Sequence, residues 1–457
     1  MNSRMEKYQQ IKAYLESFIN YENNVAFSYG ESFKLERVKC FLRDLGLSYQ
    51  DLKVIHVAGT KGKGSAATMC ADLLAGSGYK IGLYTSPHFF DFRERIVLKT
   101  KDERRKTRDD RESGKIKTTL IARKAVVEIV ENMRSYLEKW RDRKKFGCLT
   151  FFEVYTAVAL KYFIDKKVDF TVLETGMGGR LDATNVVNPL VSIITRIGYD
   201  HTDKLGTKLA DIAYEKAGII KENSLVVCAD QKRSVYNVIK KKCKEMNSKL
   251  FVLEKDFNAS SVKLKNSYTK FDFKFNEVSR KNIKVRLKGR CQVDNACLSM
   301  AAVKLLKDSG DLKREINFSG INLTSIEGRF EVVKRNPIIV IDIAHNQSSF
   351  DVLKDNLKEY FPNKEIVLIF AAAQDKNIGK MLKIIKYKHL ILTRFNNSRS
   401  AVPEDIKKKF RLKEAHITRD VSNALKIAKR LYNKDSLILI AGSFFLGAEA
   451  KKALNRL

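Results

Sequence analysis

Residues 52–65 read LKVIHVAGTKGKGS. An apolar run of strand length passes into a turn with glycines at 59, 62 and 64 and then into an alanine-rich helix start. That order predicts a strand, a glycine loop and a helix, the context a phosphate cradle requires. Glycines let backbone amides converge on phosphate oxygens, the helix presents its positive N-terminal end, Lys63 supplies a cation, and Ser65 can meet magnesium. Gly59, Thr60, Lys61, Gly62, Lys63, Gly64 and Ser65 are therefore the expected phosphate loop. The spacing departs from GxxxxGK[ST], because Gly64 separates Lys63 from Ser65.

Outward from this loop the pattern alternates. Amphipathic stretches at Met5–Phe18 and Phe33–Leu45 precede it. After it, GSAATMCADLLAGSG reads as a helix, YKIGLY as a strand, FFEVYTAVALKYFIDKK as a helix, and VDFTVLET and LVSIIT as strands. The βαβα rhythm predicts an α/β fold with a mostly parallel sheet covered on both faces. Residues 99–119, KTKDERRKTRDDRESGKIKTT, are nearly devoid of apolar side chains and are expected as a charged surface insertion. Between 261 and 288 the period changes to two, which predicts a small antiparallel pair before the helix CQVDNACLSMAAVKLLKDSG. From IIVIDIA onward strands and helices alternate again, a second and smaller α/β unit, so the expected domains are 1–325 and 326–457.

The chain has 457 residues, 44% of them apolar, enough for two cores. No apolar run reaches the ~18 residues of a membrane span and the start lacks a secretion signal, so a cytoplasmic protein is expected. Seven scattered cysteines without a CxxC pair suit reduced thiols. With 87 Lys+Arg against 53 Asp+Glu the net charge is +34. Such a field draws anions without selecting one. The basic residues run through most segments rather than one stripe with interleaved aromatics, which argues against nucleic acid as the partner.

Read together, HVAGTKGKGS, YTSPH (84–88), FFE (151–153), ETGMGGRLDATN (174–185), IGYDHTDKLG (197–206), EKAGI (215–219), GRF (328–330) and IDIAHN (341–346) resemble, in this order, the folylpolyglutamate synthase and dihydrofolate synthase family, a branch of the Mur ligase superfamily. The resemblance implies a central P-loop ATPase domain and a C-terminal Rossmann-like domain. It also implies a reaction in which ATP phosphorylates the terminal carboxylate of a folate and L-glutamate attacks the acyl phosphate. Dihydropteroate is the alternative acceptor, alone or beside the folate in a bifunctional enzyme, and a non-catalytic nucleotide- or nucleic-acid-binding protein is the remote alternative. The implied cofactor is Mg2+, with ATP as co-substrate and a monovalent cation left open; the implied partners are these small molecules, met by a monomer without a membrane.

By the same resemblance, magnesium would be held by Ser65, Ser86, Glu153 and His201, and by Lys216 if it is carbamylated. Lys63, Lys216, His345 and Ser443 are the expected catalytic residues. ATP would also be gripped by Gln292, Asn295, Arg329 and Asp342. The loop with Gly176, Gly178 and Gly179 would carry Arg180, Asp182, Thr184 and Asn185 toward the folate. Lys61, Arg196 and Gln347 depart from the family's usual Asn, small residue and proline.

Overall fold

In a computed structural model of the chain, residues 2–21, 27–102, 115–141, 147–265 and 267–455 are described. The apolar run before the glycine loop forms β1 (Val54–Ala58), buried at every position. A strand buried on both faces has neighbours on both edges, and β1 sits inside an eight-stranded sheet. The other members are β2 (Ile81–Tyr84), β3 (Ile96–Lys101), β4 (Ile116–Leu120), β5 (Phe170–Glu174), β6 (Val191–Ile194), β7 (Leu225–Cys228) and β8 (Lys249–Val252). Their order is β4-β3-β2-β5-β1-β6-β7-β8. β2, β5, β1, β6, β7 and β8 run parallel. β3 pairs antiparallel with β2 and with β4.

That hairpin corrects the expectation for residues 99–119. Its ends are paired strands, and Lys99 points inward, buried, with its Nζ 2.5 Å from Asp72 Oδ1. An ion pair inside the sheet gives a polar sequence a place in the core that composition alone does not reveal. Residues 103–114, the middle of the expected insertion, lie outside the described residues.

The region of period two holds three strands rather than a pair: β9 (Phe257–Leu264), β10 (Thr269–Phe275) and β11 (Val278–Val285), in the order β11-β10-β9. Phe271, Phe273 and Phe275 alternate onto one buried face.

A six-stranded sheet follows, with β12 (Glu331–Arg335), β13 (Ile338–Ile341), β14 (Glu365–Phe370), β15 (His389–Leu392), β16 (His416–Ile417) and β17 (Ser436–Ala441) in the order β12-β13-β17-β14-β15-β16. All its neighbours are parallel except β12 and β13. Two compact units result: Met1–Val262 with Lys270–Val285 and Gln292–Thr324, and Ser325–Leu457 with Lys263–Thr269 and Arg286–Cys291. The expected division at 325/326 is a single cut, whereas the second unit also takes these two short segments.

Candidate active site

At the end of β1 the chain turns through Gly59, at φ +152°, where a Cβ would overlap the Thr195 hydroxyl. Gly62 is left-handed at φ +87°, and a Cβ there would run into the Asn295 carboxamide. Both glycines are thus required by space and backbone together. Thr60 and Lys61 each donate their N–H to Arg196 O at 3.2 Å, and the Thr60 hydroxyl lies 3.1 Å from both Gly198 O and Gly198 N. The segment after β6 therefore braces the loop.

The helix Lys63–Gly76 begins at Gly62 without a side-chain cap, and its first backbone bond runs from Ala66 N–H to Gly62 O at 2.8 Å. The amides of Lys63, Gly64 and Ser65 have no intrahelical acceptor in such a turn, which is the arrangement an anion completes. Asn295, from the helix Arg290–Asp308, meets the same loop at Gly62, and its Nδ2 donates to Gln292 Oε1 at 3.1 Å.

β5 is the neighbour of β1 and ends on Glu174, which is buried. Its Oε2 accepts the Ser86 N–H at 3.0 Å, and a Cβ on Gly64 would sit 3.3 Å from the same oxygen. A carboxylate thus lies between the phosphate-loop helix and the turn that follows β2. Glu174 was legible as the first residue of ETGMGGR, at the C-terminal end of a strand beside β1, where parallel sheets place ligand groups. The residues expected from that stretch are its glycines, Arg180, Asp182, Thr184 and Asn185, and not this acid.

Glu153, expected as a magnesium ligand, is engaged by other partners. Arg37 Nε donates to both of its oxygens at 3.0 Å and Nη2 to Oε1 at 2.7 Å, while Thr150 N–H takes Oε2 at 2.7 Å in a capping box. Both oxygens are committed to a buried ion pair and a helix start.

Lys216, near the end of the helix Leu209–Ala217, is buried and donates to Gly59 O at 2.8 Å. Burial, with Lys63 as a second cation nearby, pulls its pKa down to about 7 against the opposing pull of Asp200, Asp182 and Glu215. His201 is left-handed at φ +49° and opens the helix Thr202–Leu205; its N–H donates to Asp200 Oδ1 at 3.1 Å. Among the described residues no three His, Cys, Asp or Glu side chains converge as a ready-made metal cage.

Three of the residues expected on the folate-side loop make bonds that hold that loop. Asp182 accepts the Gly176, Met177 and Thr184 amides at 2.9–3.0 Å and the Thr184 hydroxyl at 2.5 Å. Asn185 Nδ2 donates to Arg180 O and Gly218 O, both at 3.0 Å. All three side chains are buried. The Arg180 side chain stays 41% exposed, paired with Glu215 Oε1 at 2.8 Å.

In the second unit Asp342 ends the IDIAHN strand. Its Oδ2 accepts the Phe330 N–H at 3.0 Å and Oδ1 the Ala344 N–H at 2.8 Å, so it organises the GRF turn that carries Arg329. Burial lifts its pKa to about 6, although Arg329 pulls the other way. His345 has Nδ1 2.9 Å from Ile343 O, which assigns the proton to Nδ1 and the lone pair to Nε2. Ser443 caps the helix Phe444–Leu454 by accepting the Phe445 N–H at 3.2 Å, and Gly442 N–H donates to Ala344 O at 3.0 Å, which brings Ser443 beside the His345 strand end.

A doubly α/β chain with a phosphate loop of this type matches two family models: Mur ligase middle domain over residues 124–303, and Mur ligase, glutamate ligase domain over residues 328–444. The dihydrofolate synthase/folylpolyglutamate synthase of Bacillus subtilis is 31% identical over 430 residues, covering 92% of this chain and 95% of that one. The solved folylpolyglutamate synthase of Thermotoga maritima superposes with a TM-score of 0.79 at 30% identity, covering 98% of this chain and 96% of that one. A folylpolyglutamate synthase solved with AMPPCP and folate gives 0.80 at 27%, covering 98% and 99%. The chain belongs to the folylpolyglutamate synthase/dihydrofolate synthase family of Mur ligases. No helix among the described residues is long and apolar enough to cross a membrane.

Proposed function

We propose that this protein is an ATP-dependent ligase that joins L-glutamate through an amide bond to the glutamate tail of a folate. The observation that carries the reading is the uncapped helix start at Gly62, with Lys63, Ser65 and the buried Glu174 around it. A carboxylate is a poor acyl donor, so its oxygen first takes the γ-phosphoryl group of ATP. The glutamate amine then attacks the acyl carbon, and phosphate leaves with the oxygen it was transferred to. Phosphoryl transfer of this kind is catalysed by positioning and charge neutralisation, which the loop amides and Lys63 supply.

Magnesium fits the donors beside the loop, because it accepts a few hard oxygens and keeps several waters. Ser65, Ser86 and Glu174 would hold it, with His201 at the end of the β6 loop. When bound, it neutralises phosphate charge. Lys216 has the chemistry of a carbamylation site. A buried amine with a pKa of about 7 is substantially neutral at physiological pH. In that form it can bond to CO2 and lose a proton, leaving one N–H for the Gly59 carbonyl. Gln292, Asn295 and Arg329 are assigned to ATP, and His345 to the glutamate amine, whose proton Nε2 can accept. Ser443 supports the His345 turn.

The Bacillus subtilis relative carries both synthase names, so dihydropteroate is a second acceptor to test. Phosphate release from ATP-Mg with L-glutamate and either tetrahydrofolate or dihydropteroate, with product mass read in parallel, checks the proposal. A gain of one glutamate on tetrahydrofolate is expected. Turnover with dihydropteroate alone would reassign the acceptor, and turnover with neither would remove the reading.

A further inference from the structure

His56 sits in the middle of β1, fully buried, between Leu173 of β5 and Ser192 of β6. Its Nε2 lies 2.8 Å from the Thr184 hydroxyl. That hydroxyl has one proton and gives it to Asp182 Oδ1, so it accepts from the imidazole, which assigns the His56 proton to Nε2. Nδ1 is then a bare lone pair, and it is buried with no partner among the described residues. An unpartnered buried acceptor costs stability, and an apolar side chain would avoid it. Stability therefore does not account for a histidine here. What the histidine supplies is one donor, aimed at one hydroxyl.

We propose that His56 is a positioning residue: through Thr184 and Asp182 it fixes the loop after β5, and with it the Glu174 carboxylate beside the phosphate loop. The chain of bonds is continuous. Thr184, held by His56, donates to Asp182 Oδ1, and Asp182 Oδ2 accepts the Gly176 and Met177 amides at 2.9 and 3.0 Å. Those amides lie two and three residues beyond Glu174. At the other end, His56 precedes Gly59 by three residues on the same strand. The two loops that flank the phosphate site are thus tied by a polar link inside the sheet, in addition to the backbone pairing of β1 with β5. Without the imidazole donor the Thr184 hydroxyl keeps its bond to Asp182 but loses the second partner that holds its rotamer, so one of the four bonds on the Asp182 carboxylate is less firmly directed.

The inference rests on the proposed ligase activity, and its test separates the two. Wild-type protein, His56→Met and His56→Gln are compared for thermal unfolding and for glutamate-dependent phosphate release per folded molecule. Methionine fills the volume without a donor, whereas the glutamine amide places an N–H near the position of Nε2. His56→Met is expected to unfold no earlier than wild type, yet to lose about tenfold or more in kcat with a smaller change in KM for ATP. His56→Gln is expected to recover most of that loss. Wild-type kcat in folded His56→Met, or no recovery in His56→Gln, overturns the inference. Should His56→Met not fold, Thr184→Val against Thr184→Ser decides on the same readout: loss with valine and recovery with serine supports the link, and equal rates overturn it. Wild-type protein without glutamate-dependent turnover instead removes the functional reading, and the inference falls with it.

Discussion

Each unit has a strand that ends in a polar turn and feeds a helix, and the two junctions are finished in opposite ways. At Ala58–Lys63 the turn is glycine, and the helix begins without a side-chain cap. At Ile341–Gln347, Asn346 caps its helix by accepting the Ser349 N–H at 2.9 Å, and Asp342 takes the Ala344 amide. Orphan amides at a helix start must find acceptors. In the second unit the Asn346 side chain takes one of them, the Ser349 amide. In the first no side chain caps the helix, and two glycines at positive φ shape the turn before it. The first junction offers backbone amides, as the proposed anion site requires, and the second presents side chains, with His345 and Arg329 on turns that the strand end has already fixed.

The largest effect should come from the first junction. Lys63→Ala is expected to lower glutamate-dependent phosphate release by about a hundredfold or more, since a cation on the transferring phosphoryl group is lost. Near-wild-type release would mean that the glycine loop is only a turn. Next come the two acids. Glu174→Gln should abolish most turnover with little change in thermal unfolding. Glu153→Gln should leave Arg37 buried without its partner, lowering stability by about 3 kcal/mol or more, while folded molecules keep their rate. The opposite pattern would restore Glu153 as the metal ligand.

Lys216 sharpens the comparison through pH. Its folded pKa of about 7 lies below the ordinary 10.5. Between those values the unfolded chain holds a proton that the folded chain does not, so this group makes stability rise with pH across that window. Lys216→Met should remove the slope: in CO2-free buffer its gain in unfolding temperature over wild type should be greatest near pH 7 and shrink toward pH 10. Bicarbonate should flatten the wild-type slope if the amine becomes a carbamate. Parallel curves in CO2-free buffer would show that Lys216 is not held neutral.

These contrasts also mark what the sequence made legible. The parallel strands were visible because burial on both faces leaves uninterrupted apolar runs such as VIHVA and SLILIA. The glycine loop after β1 was visible because glycines at 59, 62 and 64 interrupt a strand-to-helix passage. Glu174 and Glu153 could not be ranked, because an acid at a helix start and an acid at a strand end look alike until Arg37, more than a hundred residues away, is seen to claim one of them. Lys99 was hidden for the same reason: its partner Asp72 lies on another element, so a charged strand read as surface. In LDATN the spacing pointed to a working loop, but whether Asp182 faces a ligand or its own amides is decided by backbone direction, which no spacing encodes.

The smallest effect tests the second junction. Asn346→Ala removes the acceptor for the Ser349 amide, and the loss of such a cap is worth about 1 kcal/mol. A chain of two units need not unfold in one step, so a single melting temperature would blur this. Hydrogen exchange at the amides of 347–350 reads it directly, and protection there should fall while the helix Lys63–Gly76 is unchanged. Binding of an ATP analogue should also be unchanged, because the Ser349 amide at the capped junction is already taken by a side chain and no glycine loop precedes that helix. If Asn346→Ala weakened nucleotide binding as much as Lys63→Ala, the second helix start would be a ligand site as well, and the contrast between a backbone junction and a side-chain junction would fail.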